Sequence, residues 1–144
     1  MLVRQILSAK PEQKVLAVAP QTPVSEAVRI LAEKRIGALV VSSDGRRAEG
    51  ILSERDIVRE LALRGAEILS QPVSDLMTRK LVTCTPADSA HHVVEKMTAG
   101  RFRHMPVLEE GEMIGLISIG DVVKGRLDEL TMETNALADM IRGH

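Results

Sequence analysis

One stretch, present twice, limits what this chain can become. Gly50-Ile51-Leu52-Ser53-Glu54-Arg55-Asp56-Ile57-Val58 returns as Gly115-Leu116-Ile117-Ser118-Ile119-Gly120-Asp121-Val122-Val123. Each copy is a short apolar run ending in Ser, with Asp three residues later and a helical pattern behind it. Ser is a good helix N-cap, and a carboxylate in the first turn suits the positive end of the helix dipole. A single copy reads as one well-capped helix. Two copies in equivalent places read as a duplicated unit.

The flanking sequence repeats in register. Pro20 aligns with Pro86 and Arg35 with Arg101, both at an offset of 66 (86 − 20 and 101 − 35). Asp56 aligns with Asp121 at 65 (121 − 56), so the first unit carries one extra residue near its turn. Val15–Ala19 predicts a strand. Thr22-Pro23 predicts a helix start with Thr as cap and Pro as first helical residue, followed by Val24, Ala27, Val28 and Leu31 at helical spacing. The apolar run Gly37–Val41 predicts a strand buried on both faces. Ser43-Asp44-Gly45 is a turn, Gly50–Leu52 a strand, and a helix runs from Ser53 to about Arg64, stopped by Gly65.

Residues 67–80, with a short helical piece over Ser74–Met77, read as a connector. Then the plan restarts. Leu81–Thr85 predicts a strand, and Pro86-Ala87-Asp88 leads into a helix that Gly100 ends. Met105–Leu108 and Met113–Ile117 predict strands around a Glu110-Gly111 turn. The helix from Ser118 carries Val122, Val123, Leu127, Leu130, Leu137, Met140 and Ile141, so it continues past the repeat. The expected organisation is a lead-in over 1–14 (a short amphipathic turn, then Pro11), a first unit over 15–66, the connector, a second unit over 81–130, and a helical extension over 131–144. The fold class is α+β: two βαββα repeats. A unit of about 50 residues buries too little surface to be comfortable alone. The two are expected to pack their sheets together about a pseudo-twofold axis.

The 144 residues are 44% hydrophobic and 27% charged, enough to build a buried core. The net charge of -1 gives no support to a nucleic-acid footprint. No apolar run approaches the roughly 18 residues of a membrane span, and the amino terminus has no obvious signal-cleavage site. The expected setting is the cytoplasm, without nucleic-acid or membrane partners. Cys84 is the single cysteine, so no internal disulfide forms, and an apolar strand makes it a core thiol. His91, His92 and His144 have no metal-ligand spacing with carboxylates. Phe102 is the lone aromatic residue, so the core is aliphatic and base-stacking platforms are scarce.

The ordered set of pieces resembles a tandem pair of CBS domains, the Bateman module, of the stand-alone bacterial type. It comprises Thr22-Pro23-Val24, Ile36–Val41 and Gly50–Asp56, then Met77-Thr78, Arg103–Val107 and Gly115–Asp121, covering roughly residues 15–130. The resemblance implies binding of an adenosine derivative as a regulatory ligand: AMP foremost, with ADP, ATP, NAD(H) and S-adenosylmethionine as further candidates. It also implies a homodimer of modules and an effector protein that responds to them.

The chemistry of Ser-x-x-Asp suits such a ligand. A carboxylate can accept from both ribose hydroxyls at once, and bonds to an ionised acceptor are the stronger kind. The same helix start offers a hydroxyl and free N–H groups to a phosphate. The structural alternative is self-capping. Arg101-Phe102-Arg103-His104 replaces Arg35-Ile36-Gly37-Ala38 of the first unit, adding cations and donors at the start of the middle strand. The resemblance makes that position a phosphate contact. It places one pocket around Ser118, Gly120 and Asp121, completed by Thr22, Ala27, Ile36 and Gly37, with Arg103 and His104 as nucleotide-binding residues at the strand end. A second pocket comprises Ser53, Arg55, Asp56, Asp88, Phe102 and Arg103. Gly37 would let backbone approach a base closely. Lys124 reads as a solvent-facing lysine within reach of a phosphate. Two other functions stay open: a dimerisation module with vestigial pockets, and a nucleotide-hydrolysing enzyme, for which no nucleophile–base pair is visible.

Overall fold

The computed structural model describes residues 1–10 and 15–143; Pro11 and His144 lie outside them. The first repeat is β1 (Ala17–Val18), α2 (Val24–Lys34), β2 (Ala38–Val41), β3 (Gly50–Ser53) and α3 (Glu54–Arg64), preceded by α1 (Val3–Ala9). The second contains α4 (Ala90–Gly100), β4 (His104–Glu109), β5 (Glu112–Ser118) and the 23-residue α5 (Ile119–Ile141). The α+β class and the long carboxy-terminal helix are as expected.

Local chemistry explains most elements. In the first sheet the order is β1-β2-β3, with β1 parallel and β3 antiparallel to β2. All four residues of β2 are buried, as a continuous apolar run requires. The hairpin of β4 and β5 turns at Glu110 (φ 54) and Gly111 (φ 80), two consecutive left-handed residues that match strand twist. Helices α2 and α4 both end on an arginine in the left-handed conformation, Arg35 (φ 54) and Arg101 (φ 55). The repeat thus extends to backbone strain. Ser89 caps α4 by accepting from the His92 N–H (3.1 Å).

Two sequence expectations need correction. Thr22 does not cap α2. Pro23 occupies the N-cap position with extended backbone, and the first helical N–H, on Val24, donates to the carbonyl of Gln71 (2.8 Å). A distant carbonyl does the work assigned to a neighbouring hydroxyl. Leu81–Thr85 is not a strand but a single parallel bridge from Cys84 to Val107. The Cys84 N–H donates to Pro106 (3.1 Å), and the Leu108 N–H donates to Cys84 (2.8 Å). In the first unit the ladder continues, because the Val40 N–H donates to Leu16 (3.3 Å). The residue equivalent to Val40 is Pro106, which has no N–H, so the bond to Val82 cannot form.

The lead-ins are exchanged between the units. The 3-10 turns at Ala66–Ser70 and Val73–Asp75 contribute buried Ile68 and Val73 to the first core, with Leu39, Leu52, Val24 and Leu31. The amino-terminal α1 contributes Val3 and Ile6 to the second core, with Val93, Met97, Met105, Val107, Ile117 and Val122. The backbone bonds match pair by pair. Val24 N–H to Gln71 (2.8 Å) corresponds to Ala90 N–H to Met1 (2.9 Å). Val73 N–H to Thr22 (2.8 Å) corresponds to Val3 N–H to Asp88 (2.9 Å). Each unit is therefore completed by chain that precedes the other one.

Helix α5 runs roughly 34 Å at 1.5 Å per residue. Its one buried residue is Val122, and Leu127 (59%) and Leu137 (60%) are widely exposed.

Candidate functional site

Both Ser-x-x-Asp motifs fold into the same reciprocal cap. Ser53 Oγ accepts from the Asp56 N–H (3.2 Å), and Asp56 Oδ2 accepts from the Ser53 N–H (3.0 Å). Ser118 Oγ accepts from the Asp121 N–H (3.1 Å), and Asp121 Oδ2 accepts from the Ser118 N–H (2.9 Å). Self-capping is thus real at both sites. The surroundings of the two carboxylates separate them.

Asp56 is closed in. The residue is 7% exposed, and its Oδ1 accepts from Arg59 Nη2 (3.0 Å) one turn along α3. Asp121 opens onto a cavity of about 650 Å³ between the units. That volume lies within the range of small-molecule sites. Among the described residues, no protein donor bonds Asp121 Oδ1.

The cavity has a floor from both repeats. Ile36, Gly37 and Ala38, where the chain enters β2, line it together with His104, Ser118 and Asp121 of the second repeat. The His104 ring lies over Gly37: a Cβ on that glycine would sit 3.2 Å from both imidazole Cε1 and Nε2. Burial lowers the His104 pKa from its ordinary value, against the carboxylates of Glu54 and Asp121, which raise it. A neutral ring donates one hydrogen bond and accepts another. Burial also raises the Asp121 pKa, but the Ser118 backbone N–H and the Lys10 ammonium outweigh it, so the carboxyl stays below the ordinary aspartate value.

Five of the expected residues therefore meet in one cavity: Ile36, Gly37, His104, Ser118 and Asp121. Others of that set lie elsewhere. Ala27 is fully buried in the first core, Thr22 bonds Val73 through its carbonyl, and Arg103 is exposed and outside the cavity lining, as is Gly120. The members of the second expected set have separate surroundings. Ser53 and Asp56 bond each other, Arg55 is exposed, Asp88 accepts from the Thr85 N–H (2.7 Å), and Phe102 packs on the second core. Cys84 is buried, and burial, with Asp88 adding to it, pushes its thiol up to about 11 against the opposing pull of Lys96.

Sequence reasoning missed the cavity's cations. Lys10 closes α1 and donates to Asp121 Oδ2 (2.9 Å) and to the Leu116 carbonyl (2.7 Å). Lys34 and Arg35 line the same space at the end of α2. The helix-terminal position of Lys34 and Arg35 was visible in the sequence. The reach of Lys10 was not, because its partner is 111 residues away. Together the three cations make the cavity suited to an anion. Among the described residues no cluster of His, Cys, Asp and Glu is arranged to hold a metal ion, and no helix is long and apolar enough to cross a membrane.

Comparison with known proteins gives a consistent picture. The CBS domain family matches residues 3–63 and again residues 73–128. The chain is 38% identical, over 83% of its length, to the CBS domain-containing protein CBSX3, mitochondrial, of Arabidopsis thaliana, and spans 60% of that relative. A CBS-domain containing protein from Agrobacterium tumefaciens superposes with a TM-score of 0.83 at 42% identity, covering 88% of this chain and 99% of that one. A CBS domain protein from Pyrobaculum aerophilum, complexed with AMP, superposes with a TM-score of 0.72 at 26% identity, covering 84% and 89%.

Proposed function

The chain belongs to the CBS-domain family, and from that premise we propose that it is a regulatory module that binds an adenine nucleotide in the Asp121 cavity. The observation that carries this reading is the pairing of an accessible helix-start carboxylate with a cation-lined cavity between the two repeats. Asp121 Oδ1 is placed to accept from a ribose hydroxyl, Ile36 supplies an apolar face for the base, and His104, Lys34 and Arg35 supply donors for phosphate. AMP is the first choice among AMP, ADP, ATP, NAD(H) and S-adenosylmethionine, and the AMP held by the Pyrobaculum aerophilum relative supports it. The module is proposed as a binder rather than an enzyme, cytoplasmic, reporting to an effector protein.

Asp121→Asn keeps an acceptor for the cap and removes the charge. It is expected to weaken AMP binding about 10- to 100-fold, the range for losing a bond to an ionised acceptor. Calorimetry showing equal affinity for both forms would remove the ribose role. A panel of adenine nucleotides that leaves the melting temperature of the native chain unchanged would favour a purely structural module.

We also propose that the functional unit is a homodimer. Val58 (65%), Leu63 (74%) and Leu127 (59%) are exposed apolar residues on α3 and α5, the kind of surface a partner covers. Multi-angle light scattering is expected to give twice the chain mass at micromolar concentration; the monomer mass would refute this.

A further inference from the structure

Lys10 holds Asp121 Oδ2, the second of the two carboxylate oxygens that a ribose with two adjacent hydroxyls would bond, and leaves Oδ1 without a protein donor among the described residues. Its ammonium sits 2.9 Å from Asp121 Oδ2 and 2.7 Å from the Leu116 carbonyl, with both charged side chains about three-quarters buried (28% and 26% exposed). It comes from the lead-in, and so from outside both repeated motifs. Among the described residues nothing comparable reaches Asp56, whose partner Arg59 is local.

We propose that Lys10 is a tethered stand-in for the ligand, and that it makes the Asp121 cavity selective for phosphorylated adenosine over the bare nucleoside; this rests on the nucleotide reading above. In the free protein the ammonium holds the carboxylate. A ribose that bonds through both hydroxyls, one to Oδ1 and one to Oδ2, must loosen that pair. A neutral nucleoside leaves the displaced ammonium partly buried with one carbonyl for a partner, which is costly. A nucleotide supplies an anionic oxygen inside the same cavity, and a flexible four-carbon stem lets the ammonium move to it. Lys34 and Arg35 line the same space but bond no acid within the cavity among the described residues, so they attract a phosphate without penalising the nucleoside. Among the described residues Lys10 alone does both.

The test compares AMP and adenosine binding to the native chain and to Lys10→Met by calorimetry. Loss of the ammonium is expected to weaken AMP about tenfold and to strengthen adenosine by a similar factor, since a charged bond is lost in one case and a competitor removed in the other. Lys10→Arg is expected to restore the preference for AMP. Equal shifts for both ligands, or no shift, would overturn the proposal. A second measurement needs no ligand: carbon NMR titration of the Asp121 carboxyl, which should titrate at higher pH in Lys10→Met. An unmoved carboxyl shows that the pair is not held in solution and overturns the stand-in role. A carboxyl that moves in a protein binding neither AMP nor adenosine instead rejects the nucleotide site and leaves a plain structural ion pair.

Discussion

Asp56 and Asp121 hold the same capping geometry, and what surrounds them assigns their roles. Arg59 and burial close the first; a cavity opens the second. The Ser-x-x-Asp spacing made both caps legible in the sequence, because a reciprocal cap needs only residues three apart. Which carboxylate opens onto a cavity was not legible, because that depends on Lys10, His104 and Gly37 arriving from three other elements. His104 gives a pH test at this scale. Its folded pKa lies below the unfolded value of about 6.5, so the folded state prefers the neutral ring. That contribution to stability is complete above about pH 6.5 and declines as the pH falls through that value toward the folded pKa, because the unfolded chain then binds the proton first. Glu54, Asp121, Lys10 and Arg103 are the charged groups whose fields reach the ring. Melting temperatures between about pH 7 and 5 are therefore expected to fall less for His104→Gln than for the native chain. Parallel profiles would show that the ring's protonation is not coupled to folding.

At the scale of elements, strand pairing follows from which residues own an N–H. Val40 continues its ladder and Pro106 cannot, so equivalent segments become a strand in one unit and a single bridge in the other. The proline was present in the sequence, but its consequence needed the register, which only the fold supplies. Register also explains Gly50. Thr78 bonds Ile51 in both directions (3.0 and 2.8 Å), drawing the connector against β3. A Cβ at Gly50 would lie 2.5 Å from Met77 Sδ and 3.0 Å from the Thr78 carbonyl oxygen. The thioether can swing away, but the carbonyl is held. Gly50→Ala is expected to destabilise by about 1–3 kcal/mol, the usual cost of overpacking, as a lower urea midpoint. An unchanged midpoint would mean that the connector gives way freely.

For the whole molecule, the exchanged lead-ins tie the repeats together. Ile6 belongs to the second core although it precedes the first unit, and Ile68 belongs to the first although it follows it. Ile6→Ala is expected to cost about 2–5 kcal/mol, as for other buried aliphatic truncations. Because α1 also ends in Lys10, that loss should loosen the Asp121 cavity as well. Unfolding monitored at probes in each unit should remain a single transition; two separated transitions would show that the cores fold independently. The duplication, the Ser caps of α3 and α5, the doubly buried β2 and the helix that outruns the repeat are all legible from residues a few positions apart. Which carboxylate is open, which cations face it and whose lead-in completes which core are settled in three dimensions. Those outcomes depend on contacts between residues tens to more than a hundred positions apart, and local physics does not rank such contacts until the chain has packed.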